Sequence, residues 1–141
     1  MLPKSAKITI FGKPRGKPRA RYDSIHHHTY RKPEDVAYET DVIQAWMEAG
    51  SPSFGSSALE VTVIASDELP KSRPKRVASE RFTTKPDVDN LAKAITDPLN
   101  GRAWDDDAHI VRLTVIKRDR RRDEVPRVEV TIEEIGEDTL C

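Results

Sequence analysis

Cysteine is almost absent. The one thiol is Cys141, at the last position, so no disulfide can form within the chain and the fold does not depend on an oxidising compartment. A CxxC or Cys/His zinc centre is excluded for the same reason. Long hydrophobic runs are missing too. No apolar stretch approaches the roughly 18 residues of a membrane span, and the opening MLPKSAKITIF has no signal-peptide core. A soluble, cytoplasmic protein with no membrane partner is expected. Net charge is also lacking: 24 basic side chains balance 24 acidic ones. That does not exclude a nucleic-acid partner, because phosphates respond to local fields. Internal repeats are absent, and only HHH and RRR are of low complexity. No phosphate-binding P-loop is present. GKPRGK is too short between its glycines, holds two prolines and lacks the Ser/Thr. No recognition helix of the helix-turn-helix kind stands out.

What remains is a polar chain of 141 residues, 36% apolar and 34% charged. That is one domain, 1–141, with a modest core in a two-layer fold. A small core with many charges hints at stability shared with a partner subunit. Residues 7–11 alternate polar and apolar, which predicts a strand. Residues 34–49 open with acids and carry Tyr38, Val42, Ala45, Trp46 and Ala49 at helical spacing. Residues 58–65 place Leu59, Val61, Val63 and Ala65 on one side of a strand. Residues 87–99 align Val88, Leu91, Ala92, Ile95 and Leu99 on one helical stripe, with Asp89, Lys93 and Asp97 opposite. Pro98 is expected to end or kink this helix, and Asn100-Gly101 marks a turn. Residues 109–118 and 126–135 read as two strands, with RDRRRDEV as a charged hairpin connection. The order is β-α-β-α-β-β, an α/β (α+β) fold with a mixed sheet of about four strands.

The charges are segregated into blocks. A basic, proline-broken loop at 12–32 carries Lys13, Arg15, Lys17, Arg19, Arg21, Arg31 and Lys32. A second at 66–86 carries Lys71, Arg73, Lys75, Arg76, Arg81 and Lys85. Then come Asp87, Asp89, Asp97, Asp105, Asp106 and Asp107. Asp87 stands where it could cap the helix that follows. Adjacent carboxylates repel and need a cation, basic neighbours or full solvation. Hard divalent cations take such oxygen ligands and suit phosphodiester hydrolysis, while the basic blocks suit phosphate contacts. A solvated acidic turn explains the same composition. His26, His27 and His28 are consecutive, which keeps all three from one metal unless the loop bends sharply, so a polar DNA-facing loop is the simpler role. Asn90 reads as a structural residue at the helix start. Trp46 and Trp104 read as core or interface.

The order of residues goes further than the composition. KPDVDNLAKAITDPLNG followed by AWDDDAHIVRLTVIK resembles the RusA family of Holliday junction resolvases. The shared pattern comprises Pro86, Asp87, Asp89, Asn90, Leu91, Lys93, Asp97, Leu99, Asn100, Gly101, Trp104, Asp106, Asp107 and Lys117. The resemblance implies that Asp87, Asp89 and Asp107 bind a catalytic Mg²⁺, with Mn²⁺ as a substitute, and that Lys93 is the basic catalytic residue. Asp105 makes the acid run DDD rather than DD, which leaves Asp106 as a further candidate ligand. The implied DNA contacts are Lys13, Arg15, Lys17, Arg19, Arg21, Lys71, Arg73, Lys75 and Arg76. The implied partner is branched DNA, the four-way junction, bound by a homodimer that makes paired nicks in recombination and repair. A phage or prophage source would be in keeping with the family. A junction-binding module without cleavage is the alternative. A DxD glycosyltransferase is disfavoured by the short chain and the missing glycine-rich elements.

Overall fold

The structure is a computed structural model of the whole chain and describes residues 3–17, 21–25 and 28–136. Strand β1 (Ser5–Phe11) is followed by a short hairpin of β2 (Arg21–Asp23) and β3 (His28–Tyr30). Helix α1 (Pro33–Glu48), strand β4 (Leu59–Ser66), the two-residue β5 (Ser79–Glu80) and helix α2 (Val88–Leu99) come next. A single 3-10 turn, Asp107–His109, leads into β6 (Ile110–Lys117), the two-residue β7 (Arg120–Arg121) and β8 (Arg127–Glu134). The major elements follow the order β-α-β-α-β-β. The hairpin within 12–32 is an addition to what the sequence suggested for that basic stretch.

Helix α1 begins with Pro33 in its first turn, followed by Glu34 and Asp35, the residues a helix N-terminus favours. It ends in a Schellman motif. Ser51 N–H bonds the Trp46 carbonyl at 3.1 Å and Gly50 N–H bonds that of Met47 at 3.0 Å, with Gly50 at φ 95°. Tyr38 and Val42 are buried, whereas Ala49 is exposed. Helix α2 buries Leu91, Ala92, Ile95 and Leu99, and also Ala94, Thr96 and Pro98, so its buried face is wider than one stripe. Val88 is 49% exposed. Pro98 lies inside the helix, which ends one residue later at Leu99. Asp87 occupies the N-cap position, but its side chain makes no capping bond. Its carboxylate takes Lys85 Nζ instead, at 3.1 Å.

The four-stranded sheet has the order β1-β8-β4-β6. β8 pairs antiparallel with both β1 and β4, and β4 pairs parallel with β6. The stretch 118–126 is therefore not a simple hairpin connection. β6 and β8 are separated by β4, because a parallel β4–β6 pair needs a crossover, which α2 supplies. Ile8 and Ile10, Leu59, Val61, Val63 and Ala65, and Val128, Val130 and Ile132 all point to one side. Both helices pack there, with Trp104, 1% exposed, among the residues that close the core. The layout is two layers, sheet and helices, as an alternating apolar face requires.

Candidate nuclease site

α2 runs antiparallel to the two strands it connects, so its first turn lies at the C-terminal ends of β4 and β6. Asp87 and Asp89 stand at that end, both exposed to solvent. The chain reaches them through a cis Lys85–Pro86 bond. Lys117, the last residue of β6, leans over the Phe82 ring at 4.4 Å from its centre and donates from Nζ to the Thr84 carbonyl at 2.6 Å. Burial pushes the Lys117 ammonium below the ordinary lysine range, and the Asp87 carboxylate pulls it back up. Arg120 and Lys85 push it further down. Lys117 thus sits within electrostatic range of Asp87. The sequence pattern contains Lys117, but only the fold brings it to the acids.

Asp107 is held firmly, and elsewhere. Its Oδ1 accepts Trp104 Nε1–H at 2.7 Å, and its backbone N–H donates to Asn100 Oδ1 at 2.9 Å. Asn100 follows the last residue of α2, so Asp107 stands at the opposite end of the helix from Asp87. Twelve helical residues separate the two ends, a length of about 18 Å. The structure therefore keeps Asp87 and Asp89 at one end of α2 and sets Asp107 at the other. Among the described residues no three His, Cys, Asp or Glu side chains gather around one point that could hold a metal ion. Asp105 and Asp106 are exposed beside Asp107. Lys93 is exposed one turn beyond Asp89, with no ion pair among the described residues. Asp97 pairs instead with Lys17, Nζ to Oδ2 at 2.6 Å.

The first basic segment is docked against this end of α2. Lys17 N–H donates to the Asn90 carbonyl at 3.0 Å. A Cβ placed on Gly16 would lie 2.9 Å from both Asn90 Cβ and Pro86 Cβ, so glycine is what allows the backbone to close on the helix start. Arg15 Nη2 meets Asp35 Oδ1 at 3.1 Å. Tyr38, buried in α1, has its phenol pushed up to about 12 by burial, an effect partly offset by a backbone hydrogen bond from Arg15. Next to this segment is an open cleft of about 250 Å³, lined by Arg15, Lys32 and Lys85 together with the acids Glu34 and Asp35, and by Gly16, Pro86 and Asn90. GKPRGKP hides this docking, because prolines and glycines read only as irregular chain.

The other expected DNA contacts divide. Lys13, Lys71, Lys75 and Arg76 are exposed and form no ion pair among the described residues. Arg73 is engaged by Glu80, Nε to Oε2 at 2.8 Å, and Glu80 also takes Arg120. Arg19, His26, His27 and the side chains of Arg21 and His28 lie outside the described residues. Arg122 was not singled out by the sequence. It donates to the carbonyls of Val77 at 2.9 Å and Pro74 at 2.6 Å, clipping the second basic loop to the body.

Fold and site together define a small α+β domain in which two exposed carboxylates, Asp87 and Asp89, stand near a cleft lined by Arg15, Lys32 and Lys85 as well as by Glu34 and Asp35. The chain belongs to the RusA endodeoxyribonuclease family: residues 12–133 match the family described as endodeoxyribonuclease RusA. The match takes in both basic segments and both acidic stretches. Over 142 aligned residues the chain is 32% identical to "Uncharacterized protein YqaN" of Bacillus subtilis (strain 168), spanning 92% of this chain and 96% of that one. Among the described residues no helix is long and apolar enough to cross a membrane.

Proposed function

We propose that the protein is a Mg²⁺-dependent, structure-selective endodeoxyribonuclease that resolves Holliday junctions by paired nicks as a homodimer. The observation that carries this reading is the family match over 12–133 together with the exposed Asp87 and Asp89 at the start of α2, where the first basic segment docks. Asp87 and Asp89 offer to solvent the carboxylate oxygens that a hard divalent ion takes, whereas Asp107, with Oδ1 on Trp104, stands at the far end of α2 in the same chain. When bound, Mg²⁺ supplies a water of lowered pKa and neutralises charge on the phosphate.

The chain's own groups do the rest. Lys93, exposed one turn beyond Asp89, offers a cation to the charge that develops on the cleaved phosphate. Lys13 and the docked segment 13–17 guide the backbone of one DNA arm toward Asp87. Lys71, Lys75 and Arg76 on the second loop meet phosphates further away. Recognition is of backbone and branch shape, with no element among the described residues presented to read base edges.

The test is cleavage of a synthetic four-way junction with Mg²⁺, comparing wild type with Lys93→Met. Nicking should fall at least about 100-fold in the variant, the scale of losing one electrostatic contact to a transition state, with junction affinity nearly unchanged. Equal nicking by Lys93→Met would remove Lys93 from the chemistry. Junction binding without products under any divalent ion would make the protein a binding module.

A further inference from the structure

Asp87 has little support of its own. Its side chain makes no capping bond to α2. Among the described residues its carboxylate is bonded only by Lys85, whose side chain is 82% exposed, and exposed pairs of this kind hold geometry weakly. What places Asp87 is therefore the chain that leads to it, residues 79–86.

That stretch is fastened, pair by pair, to the end of β6 and the turn after it. Ser79 and Glu80 pair with Arg121 and Arg120 as β5 and β7. Arg81 meets Asp119, Nη1 to Oδ1 at 3.1 Å. The Phe82 ring is buried, with Lys117 Nζ 4.4 Å and the Arg120 guanidinium 5.5 Å from its centre. Thr84 gives its carbonyl to Lys117 Nζ at 2.6 Å. Pro86, further along, is met by Gly16. The approach to Asp87 is thus gripped at Phe82 and Thr84 by Lys117, and at Pro86 by the first basic segment.

A lysine at 117 is a costly way to fill that place. Burial weighs most against its charge, Asp87 offsets part of this, and Arg120 and Lys85 add to it. An apolar side chain would cover Phe82 without that penalty. Only a long cationic donor can cover the ring, take the Thr84 carbonyl and face Asp87 together.

We propose that Lys117 is a positioning residue of the candidate active site: it clamps residues 82–84 to the end of β6 and so sets where Asp87 presents its carboxylate. Its Nζ is occupied by the Thr84 carbonyl and the Phe82 ring, so the cation offered to the phosphate remains Lys93. The role of Asp87 rests on the nuclease reading above; the clamp does not.

The test uses the full-length protein and the variants Lys117→Met, Lys117→Arg and Phe82→Leu. Mn²⁺ is titrated calorimetrically without DNA, and junction cleavage is measured alongside. Lys117→Met keeps an apolar stem and loses the donor and the charge. Its Mn²⁺ affinity should fall about 10- to 100-fold, the range for removing a group that orients a metal-binding side chain. Its kcat should fall too, with KM for the junction near that of wild type, because the basic loops are untouched. Lys117→Arg can still donate to Thr84 and stack on Phe82, and should recover most of both. Phe82→Leu should weaken Mn²⁺ binding in the same direction. Lys117→Met added to Phe82→Leu should cost less than it does alone, since both act through one contact.

A fall in kcat with unchanged Mn²⁺ affinity would put Lys117 in the chemistry itself and overturn the positioning role. So would a loss that Lys117→Arg does not recover. Where Lys117→Met fails to fold, Phe82→Leu decides, and wild-type Mn²⁺ affinity in it would overturn the clamp. Trypsin gives a reading that needs no metal. Arg81, whose side chain is 85% exposed, should be cut faster in Lys117→Met than in wild type, and equal cutting would count against the clamp. If the wild type binds no Mn²⁺ and cuts no junction, the nuclease reading fails, while trypsin still decides whether Lys117 holds the stretch before Asp87.

Discussion

A methyl group at position 16 has nowhere to go. Gly16 closes against Pro86 and Asn90, and the two contacts at 2.9 Å are to side-chain Cβ atoms that sit on ordered backbone. Gly16→Ala should destabilise the fold by about 1–3 kcal/mol, the range for forced overpacking, and weaken junction binding by undocking Lys13 and Arg15. Urea denaturation and a binding titration check the two effects. Tyr38 gives a pH signature. Its phenol is raised to about 12 by burial, against an ordinary 10.0. A raised pKa means the folded state favours the neutral form, so its contribution is complete below pH 10 and is lost as pH rises toward 12. Stability measured across that window should decline, and Tyr38→Phe should flatten the decline. At this scale the sequence was partly legible. Asp87, Asp89 and Asp107 stood out through the resemblance to the family pattern, but Asp87's lack of a capping bond did not, because Lys85 competes for its carboxylate only in three dimensions.

Elements follow their own rules. The helices and major strands could be read from periodicity because each buries one face against the same core. The small pairings escaped. β5 and β7 are two residues each, joined from positions 40 and 42 apart, too short for any period to register. The partnership of β6 with β4 rather than β8 depends on the α2 crossover, which local pattern cannot reveal. The second basic loop owes its shape to Arg122, whose guanidinium reaches three carbonyls of the loop. Arg122→Met should release the Lys75–Arg76 region. Trypsin should then cut there several-fold faster, with the global melting temperature shifted by only a few degrees, because local opening draws on local bonds. Unchanged cutting would show that the Arg73–Glu80 pair and the β5–β7 pairing hold the loop without Arg122.

The whole molecule is neutral on balance, yet its charge is sorted by position, and the fold places cations on two loops around an acidic end of α2. Binding to DNA should therefore be strongly salt-dependent despite zero net charge. Neutralising Lys75 should lower the slope of log affinity against log salt by about one, measured by titrating junction DNA at several salt concentrations. An unchanged slope would take the second loop off the DNA. The candidate site was offered by the sequence only as a set of residues. Asp107's distance from Asp87 was not, since sequence spacing says nothing of which end of a helix each acid occupies.

The most direct measurement is strand cleavage of a synthetic four-way junction in Mg²⁺ by wild type and by Asp89→Asn, beside a linear duplex of the same sequence. The wild type should make symmetric nicks in the junction and leave the duplex intact. Asp89→Asn should bind the junction and cut at least about 100-fold more slowly, with its melting temperature preserved because Asp89 is exposed. A wild type that leaves the junction whole, or a variant that cuts as fast, would contradict the assignment.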